Sequence, residues 1–258
     1  MQELELYTAC PLCDCTDLAD LRTASCAGHG LYNPALNDTL LWRTCAACGH
    51  QFRSGFYTDE ACQLLFSGTH DNQRLGHDYE AQRWVAARMI EKVLPWRSSG
   101  PWLDVGFGNG ALLLTALEYG FTPVGIDLRT DNAAALAGLG IETHARPLET
   151  LEFPGRFSVI SLADVLEHTP FPRLVLSHAH SMLAPGGVLF LSMPNAESPL
   201  WHLLDAAGAN PYWGELEHYH NFTRTRLEAL LRQHGFTPMR YGVSERYRAC
   251  MEVIAVKD

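Results

Sequence analysis

The segment Leu103–Gly110, with the sequence LDVGFGNG, constrains the fold of this chain more than any other. A strand-like apolar run leads into it, and a helix-forming apolar run follows over residues 111–117. Three glycines in five positions let the backbone turn sharply and approach a ligand closely. The helix would begin with unpaired N–H groups and a positive dipole end, which suit an anionic group. The segment therefore predicts a nucleotide-type site at a strand–turn–helix junction.

Two cofactors fit this turn. The spacing Gly106-x-Gly108-x-x-Ala111 satisfies the dinucleotide fingerprint, and Asp127 follows at about the distance of its ribose-binding acid. Asp104, two residues before the first glycine, argues otherwise because a carboxylate there would repel a pyrophosphate. S-adenosylmethionine has no phosphate, and both its amine and its sulfonium are cationic. The sequence favours S-adenosylmethionine, and a dinucleotide stays the alternative.

Length and composition set the class of protein. A chain of 258 residues with 47% hydrophobic residues can build one substantial core plus a small appendage. The sequence contains no run of about 18 apolar residues, so we expect no transmembrane helix. The acidic first residues do not resemble a signal peptide. We expect a cytoplasmic location and no membrane partner.

Charge bears on the partner. The chain has a net charge of −10. Its first 72 residues hold nine acidic and three basic residues, a net charge of −6. Binding of a polyanion needs clustered Lys and Arg, so no nucleic-acid partner is expected.

The eight cysteines include two C-x-x-C pairs separated by 31 residues. Without a signal peptide, metal binding is a better interpretation than disulfides. Four thiolates complete a closed tetrahedral zinc site, which stabilises a fold and leaves no open position for chemistry. Cys15 or His50 could replace one ligand, and redox-active thiols are the alternative. The predicted zinc ligands are Cys10, Cys13, Cys45 and Cys48.

From residue 102 onward, strand and helix patterns alternate, which predicts an α/β fold with a doubly wound parallel sheet. Ligands bind outside the carboxyl ends of such strands. Asp104, Asp127 and Asp164 each lie at or just after a predicted strand end. We expect a zinc-binding module with its linker over residues 1–72 and a second domain over 73–258, with a cap insert at about 195–222.

The region 103–195 resembles the class I S-adenosylmethionine-dependent methyltransferase family. The matching pieces are, in order, LDVGFGNG at 103–110, GID at 125–127, LADVLEH at 162–168 and LAPGGVL at 183–189. The resemblance implies a Rossmann-like seven-stranded sheet that ends in an antiparallel hairpin. It also implies that Asp127 holds the ribose hydroxyls, that the loop near Leu148 flanks the adenine, and that Ala163 and Asp164 line the cofactor. The acid that often follows the third strand in this family is absent here. The predicted cofactor-binding residues are Asp104, Gly106, Phe107, Gly108, Asn109, Asp127, Leu128, Leu148, Ala163 and Asp164.

Methyl transfer to an oxygen also requires loss of a proton, for which a histidine is suited. His168 follows the fourth strand, and His218 and His220 lie in the cap. We predict His168 or His218 as the general base, with His220 third, and a structural role is the alternative for each. A metal-assisted reaction that uses Glu167 with these three histidines is a further alternative. Aromatic residues of the cap could stack on an acceptor or form the core of the cap.

These features predict a methyltransferase that acts on a small molecule. The zinc module, the core and the cap together resemble enzymes that tailor sugars, polysaccharides and natural products, so O-methylation of such an acceptor is the first expectation. An rRNA methyltransferase with a zinc module is the second. An NAD(P)-linked oxidoreductase and a zinc-dependent interaction protein with an inactive core are alternatives of other classes. The sequence does not predict the oligomeric state.

Overall fold

A computed structural model describes residues 3–65, 73–247 and 249–258. The strands are β1 (Leu4–Leu6), β2 (Leu18–Ser25), β3 (Thr39–Cys45), β4 (Gln51–Arg53), β5 (Gly55–Tyr57), β6 (Gly100–Val105), β7 (Phe121–Ile126), β8 (Glu142–His144), β9 (Phe157–Ala163), β10 (Leu183–Pro194), β11 (His220–Asn221), β12 (Phe236–Val243) and β13 (Cys250–Lys257). The α-helices are α1 (Asp59–Leu65), α2 (Tyr79–Val93), α3 (Ala111–Glu118), α4 (Thr130–Gly138), α5 (Pro172–Met182), α6 (Pro199–Ala206) and α7 (Arg224–Gln233).

The chain forms two compact units. The first, here called the cysteine unit, comprises residues 1–69, 167–173 and 194–230. The second, the sheet unit, comprises residues 70–166, 174–193 and 231–258. The predicted domain boundary at residue 72 lies outside the described residues. The segment expected to be a cap on the second domain is grouped with the N-terminal residues, because both contribute to one core.

The sheet unit contains a seven-stranded sheet in the order β12-β13-β10-β9-β6-β7-β8. The pairs β10–β9, β9–β6, β6–β7 and β7–β8 are parallel, and β12–β13 is antiparallel. The predicted α/β fold and the closing hairpin are therefore confirmed. Buried residues of α2 and α3 form one core cluster with Trp102, Val159 and Phe190 of the central strands.

The helix α3 covers the whole apolar run over residues 111–117 that the sequence predicts to be helical. Thr223, which belongs to the cysteine unit, caps α7 by accepting a bond from the Arg226 amide at 3.0 Å. The strand β10 begins at Leu183, and its pairing with β9 is irregular between Leu183 and Val188. A Pro-Gly-Gly turn lies within this irregular stretch.

The cysteine unit is built on the antiparallel sheet β11-β4-β3-β2 and the small sheet β1–β5. The long insert between the two C-x-x-C pairs forms the hairpin β2–β3. The turn-forming residues of this insert lie in the connection between the strands β2 and β3. Trp42, Trp201 and Trp213 are buried in one apolar cluster, and the Trp42 indole donates to the carbonyl of Trp213 at 2.8 Å. Residues far apart in the chain thus share this core.

Within the described part of the chain, no helix is both long enough and apolar enough to cross a membrane.

Candidate functional site

The turn between β6 and α3 has a left-handed backbone at all three of its glycines. The φ values are +68° at Gly106, +55° at Gly108 and +76° at Gly110. A Cβ atom on Gly106 would lie 2.8 Å from Cγ2 of Val165. Any side chain there would be strained and crowded, so the sequence needs glycine. Asn109 supports the turn by accepting a bond from the Ala111 amide at 3.1 Å.

Asp104, at the end of β6, is a buried carboxyl with an unusual pKa. The Ser161 hydroxyl donates to its Oδ1 at 2.6 Å, and the Trp102 indole donates to that hydroxyl oxygen at 2.9 Å. Burial raises the pKa of Asp104 to about 7, and the Ser161 bond and the charge of Arg246 oppose this rise. A cationic ligand would favour the ionised carboxylate. Asp104 is therefore suited to an ammonium group.

A small cleft lies at this turn. Asp104, Gly106, Phe107, Asn109 and Arg246 are among its lining residues. Sequence reasoning missed Arg246, which lies in the connection between β12 and β13. No motif surrounds it, and only the sheet order brings it to this place.

Asp164, just after β9, has a left-handed backbone with φ +57°. Its Oδ1 accepts a bond from the Ser192 hydroxyl at 2.8 Å, and its Oδ2 lies 3.3 Å from Nη1 of Arg246. The same Arg246 nitrogen donates to the carbonyl of Ala163 at 3.2 Å. The sheet unit thus brings the predicted Ala163 and Asp164 together with a guanidinium group.

Asp127, just after β7, is also buried, and both of its oxygens are engaged. The Gly108 amide donates to Oδ2 at 3.0 Å. Arg129 donates through its backbone amide and Nε to Oδ1, at 3.0 and 2.8 Å, and through Nη2 to Oδ2 at 2.6 Å. The glycine turn and this strand end are therefore held together by one carboxylate. Arg129 is a second residue that sequence reasoning missed.

The other predicted cofactor residues fall in three environments. Phe107 is buried against Leu113 and Leu136, and its ring lies under β7, where a Cβ on Gly125 would come within 2.7 Å of it. Leu148 is buried in a short 3-10 helix after β8, whereas Leu128 is 67% exposed. Phe107 lines the cleft with part of its surface, and Leu128 is open to solvent.

In the cysteine unit, the two C-x-x-C pairs come together. One sulfur atom from each of the four predicted cysteines lies within 4.8 Å of the other three. The Cys10 and Cys48 sulfurs are 3.7 Å apart, and those of Cys13 and Cys45 are 3.5 Å apart. Zinc–sulfur bonds of about 2.3 Å in a tetrahedron separate the sulfurs by about 3.8 Å. The four thiols therefore fit a zinc ion.

Two backbone turns present these thiols. The Gly49 amide donates to the carbonyl of Cys45 at 2.9 Å, and the Asp14 amide donates to the carbonyl of Cys10 at 3.0 Å. Gly49 has a φ of +67° and Asp14 a φ of +60°, so both turns are left-handed at these residues. The two replacement ligands that the sequence leaves open lie outside the group. The Cys15 thiol donates to the carbonyl of Asp17 at 3.9 Å, and the His50 ring pairs with another histidine.

Two of the predicted catalytic histidines, His168 and His218, are in contact. Their ring centroids are 4.6 Å apart with nearly perpendicular planes. One nitrogen of each ring and a carboxylate oxygen of Glu167 lie within 4.8 Å of one another. Burial and the neighbouring His168 lower the pKa of His218 to about 3, so its imidazole is neutral at pH 7. The cysteine unit therefore holds two imidazoles and a carboxylate at one place.

His220 is separate from this group. Its Nδ1 lies 3.0 Å from Nε2 of His50, and its Nε2 lies 2.9 Å from the carbonyl oxygen of Thr169. Burial lowers its pKa to about 3. Both ring nitrogens have protein partners at the β4–β11 pairing, which is the geometry of a structural histidine.

A second group of polar side chains lies nearby in the same unit. Nε2 of His29 is 2.5 Å from Oε1 of Glu215, and a carboxylate oxygen of Glu217 completes the group. Glu215 also interacts electrostatically with His218 and keeps a low pKa of about 2, despite its burial, because of its bond to His29. No spacing in the sequence indicates this group, because it joins residues 186 positions apart.

The aromatic residues of the predicted cap have mostly become core. Trp201, Trp213 and Tyr219 are buried. Tyr212 stacks on Trp201 with a centroid distance of 5.3 Å, and it lies parallel to the His218 ring at 6.3 Å. Tyr212 is thus the partly buried aromatic that stands beside the histidine group.

Comparison with known proteins identifies the domain. Residues 77–240 match the family described as a methyltransferase domain. The chain belongs to this family. The match includes the glycine turn, both buried aspartates and the histidine group, so the predicted class I S-adenosylmethionine-dependent methyltransferase domain is confirmed.

Curated relatives of this chain include two ubiquinone biosynthesis O-methyltransferases. The chain is 32% identical over 115 residues to the one from Pseudomonas paraeruginosa, which covers 42% of this chain and 49% of that protein. It is 33% identical over 147 residues to the one from Xanthomonas euvesicatoria, which covers 52% and 61%. The chain thus spans about half the length of the curated relatives it matches.

Solved methyltransferase structures show the same fold. One is 1,6-didemethyltoxoflavin-N1-methyltransferase from Burkholderia thailandensis, with a TM-score of 0.59, 22% identity, and coverage of 82% of this chain and 97% of that chain. Another is magnesium protoporphyrin IX methyltransferase from Synechocystis, with a TM-score of 0.54, 19% identity, and coverage of 79% and 90%. Both contain bound S-adenosylhomocysteine, the demethylated form of the cofactor.

Proposed function

We propose that this chain transfers the methyl group of S-adenosylmethionine to an oxygen atom of a small molecule. The observation that carries the proposal is the cleft beside the glycine turn, which is lined by the buried carboxyl of Asp104. The burial of Asp104 makes it a selective partner for an ammonium group. A dinucleotide would bring its pyrophosphate to the same carboxylate.

The proposed cofactor roles rest on the predicted residues and on the lining of the cleft. Asp104 would bind the amino group of the methionine part, and Arg246, which also lines the cleft, would bind its carboxylate. Asp127 would bind the ribose hydroxyls, and the left-handed turn from Gly106 to Gly110 would let the cofactor approach the backbone. Leu148 would contact the adenine. These roles use the predicted residues together with Arg246.

Three observations support a small acceptor. The curated relatives are named O-methyltransferases, and the net charge of −10 disfavours a polyanion such as rRNA. Tyr212 beside the histidine group offers an apolar face for a ring or a sugar. We therefore propose a hydroxyl group of a sugar or a natural product as the acceptor.

The reaction moves one methyl group and one proton. The acceptor oxygen forms a bond to the methyl carbon, and the carbon–sulfur bond breaks with its electron pair on sulfur. The acceptor also loses its hydroxyl proton. We propose that His168 or His218, whose rings are in contact, takes up that proton as the general base. His220 would keep the β4–β11 pairing in place.

The four cysteines would hold one structural zinc ion. Their sulfurs lie within 4.8 Å of one another, and the two backbone turns would fix them. Four thiolates fill the coordination sphere, so this ion would stabilise the cysteine unit and take no part in methyl transfer.

Calorimetry with S-adenosylmethionine, S-adenosylhomocysteine and NAD tests the cofactor. Binding of the first two without NAD is expected, and binding of NAD alone would overturn the proposal. A mass-spectrometric screen across sugars, phenols and RNA then tests the acceptor. A gain of one methyl group on a hydroxyl compound is expected, whereas methylation of RNA would contradict the charge argument.

A further inference from the structure

The helix α2 forms part of the cleft beside the glycine turn. Val85, Ala86 and Met89 of this helix line the cleft, and so does Arg246. Ala86 and Met89 are buried in the core cluster of the sheet unit, so packing fixes this part of α2. Arg246 has a different support. It lies in the segment 244–247 between β12 and β13, and its side chain is 30% exposed, so polar contacts must hold it in place.

Lys92, about one turn after Met89 on the same helix, connects α2 to that segment. Its side chain is only 13% exposed, and its Nζ lies 2.5 Å from Oε2 of Glu252 and 2.7 Å from Oε1 of Glu245. A buried ammonium group without a partner would be costly, whereas this one is shared by two carboxylates. Lys92 thus cross-links α2 to the residue directly before Arg246.

Glu252, on β13, extends this link to the backbone. Its Oε1 accepts a bond from the Glu245 amide at 2.8 Å, while its Oε2 accepts one from Lys92. Arg88, about one turn before Lys92, places its Nε 3.6 Å from the second oxygen of Glu245. The bond from Lys92 lowers the pKa of Glu245, so this carboxylate is ionised at neutral pH. Both the side chain and the amide of Glu245 are therefore held.

The central sheet supports the same segment from β10. The hydroxyl oxygens of Ser192 and Ser244 lie 3.3 Å apart, and the Ser244 oxygen also accepts a bond from the Arg246 amide at 3.1 Å. The Ser244 amide donates to the carbonyl of Cys250 at 3.0 Å. The backbone next to the guanidinium is thus connected both to α2 and to β10, within one unit of the molecule.

We infer that Lys92 is a positioning residue for the cofactor: through Glu245 and Glu252 it fixes the segment 244–247, so that the Arg246 guanidinium stays at the cleft. Lys92 does not itself line the cleft, so it acts through Arg246 and not on the ligand. Positioning by Lys92 requires that Arg246 binds the carboxylate of the methionine part, and in this it rests on the proposed function. A guanidinium held in place recognises a carboxylate, so the site should prefer S-adenosylmethionine to its decarboxylated form.

Two ligands that differ by one carboxylate provide the test. Calorimetry measures the affinity for S-adenosylmethionine and for decarboxylated S-adenosylmethionine, and the ratio of the two affinities is the readout. We expect the wild type to prefer S-adenosylmethionine roughly three- to fivefold, and Arg246→Met should abolish this preference. Lys92→Met and Glu245→Gln should each lower the ratio by about twofold or more, because the guanidinium is then held less firmly. A purely structural role would weaken both ligands equally and leave the ratio unchanged.

The variants are chosen to separate positioning from folding. Lys92→Arg keeps the cation and should restore most of the ratio that Lys92→Met loses. Lys92→Met leaves Glu252 buried without this partner, so it is used only if its thermal unfolding stays cooperative. If it does not fold, Glu245→Gln decides, because that change leaves the pair of Lys92 and Glu252 intact.

An ion pair elsewhere on α2 supplies the matched control. Arg83 of α2 binds Glu118 of α3, with Nε 3.0 Å from Oε1, and neither residue lines the cleft. Glu118→Gln removes this pair and should leave the ratio at its wild-type value.

The outcomes separate the positioning role from the proposed function. A wild-type ratio in Glu245→Gln, or in a folded Lys92→Met, would overturn the inference while the role of Arg246 stands. A further loss of the ratio in the double variant Glu245→Gln/Arg246→Met, beyond that of Arg246→Met, would overturn it as well, because Glu245 would then act independently of Arg246. Absence of binding of either ligand to the wild type would instead refute the proposed function.

Discussion

The two units organise polar side chains in opposite ways. In the sheet unit, strands deliver aspartates to the end of one sheet, and each carboxylate is fixed by residues close to it in the fold, as Asp104 is by Ser161. In the cysteine unit, small sheets cannot do this alone, and side chains from separate stretches hold one another, as His29 holds Glu215. In the sheet unit, hydrogen-bonded strands position the polar side chains. In the cysteine unit, side-chain contacts between separate chain segments position them.

This contrast predicts that a single substitution has different consequences in the two units. Buried Arg53 illustrates it: its Nη1 donates to the carbonyl of Leu216 at 3.0 Å, and its guanidinium lies 4.6 Å from the centroid of the Tyr57 ring. Removing one cross-link should affect the whole cysteine unit. Removing one carboxylate from the sheet unit should weaken ligand binding and leave the cysteine unit folded.

The largest effect is expected for Cys45→Ser. Loss of a structural zinc ion removes a binding free energy on the order of 10 kcal/mol from a small unit. Metal analysis should show loss of the zinc, and calorimetry should show that the cysteine unit unfolds while S-adenosylhomocysteine still stabilises the sheet unit. Cys15→Ser is the control and should keep the zinc, because its thiol bonds to Asp17 instead. If Cys45→Ser lost cofactor binding together with zinc, the proposed difference between the two units would be wrong.

Asp127→Ala should give the next largest effect. Hydrogen bonds to a charged group contribute about 1.5–3 kcal/mol each, so we expect roughly 10- to 100-fold weaker binding of S-adenosylmethionine. Calorimetry measures the affinity, and the melting of the cysteine unit should not change. An unchanged affinity would refute the assignment of the ribose to this carboxylate.

A smaller effect is expected from pH. The pKa of free Asp104 is about 7, so the carboxyl is protonated below that pH and ionised above it. The ammonium group of the cofactor prefers the ionised form, so affinity should rise by about tenfold between pH 6 and pH 8 and then level off. Asp104→Asn should flatten the profile, and it also controls for titration of the ligand's own amine. A falling affinity over this range would contradict the assignment.

The smallest effect is expected for Arg246→Met. This guanidinium is partly exposed, and an exposed ion pair contributes about 1 kcal/mol or less, so the affinity should fall roughly three- to fivefold. The loss should vanish with decarboxylated S-adenosylmethionine, which lacks the group that Arg246 would bind. An equal loss with both ligands would show that Arg246 acts only on the packing around Asp164.

The same difference between local and distant contacts explains which features of the fold and the site could be predicted from the sequence. The turn at Gly106, the strand ends at Asp104 and Asp127 and the helix α3 arise from local patterns, and they were predictable for that reason. The four cysteines were predictable because their spacing carries the chemistry of zinc. Pairings between distant segments give no such signal. Arg53, for example, belongs to a residue type that is normally exposed, and only the folded partners at Leu216 and Tyr57 explain its burial.

The three bonds from Arg129 to Asp127 have a consequence for turnover. Together with the Gly108 amide, they occupy the acceptor positions of the carboxylate that the ribose would use. Under the proposed ribose assignment, Arg129 would compete with the cofactor for this carboxylate, and the ribose would displace at least one of its bonds on entry. The same competition would favour release of the spent cofactor, whose ribose is identical, so some affinity would be exchanged for faster product release.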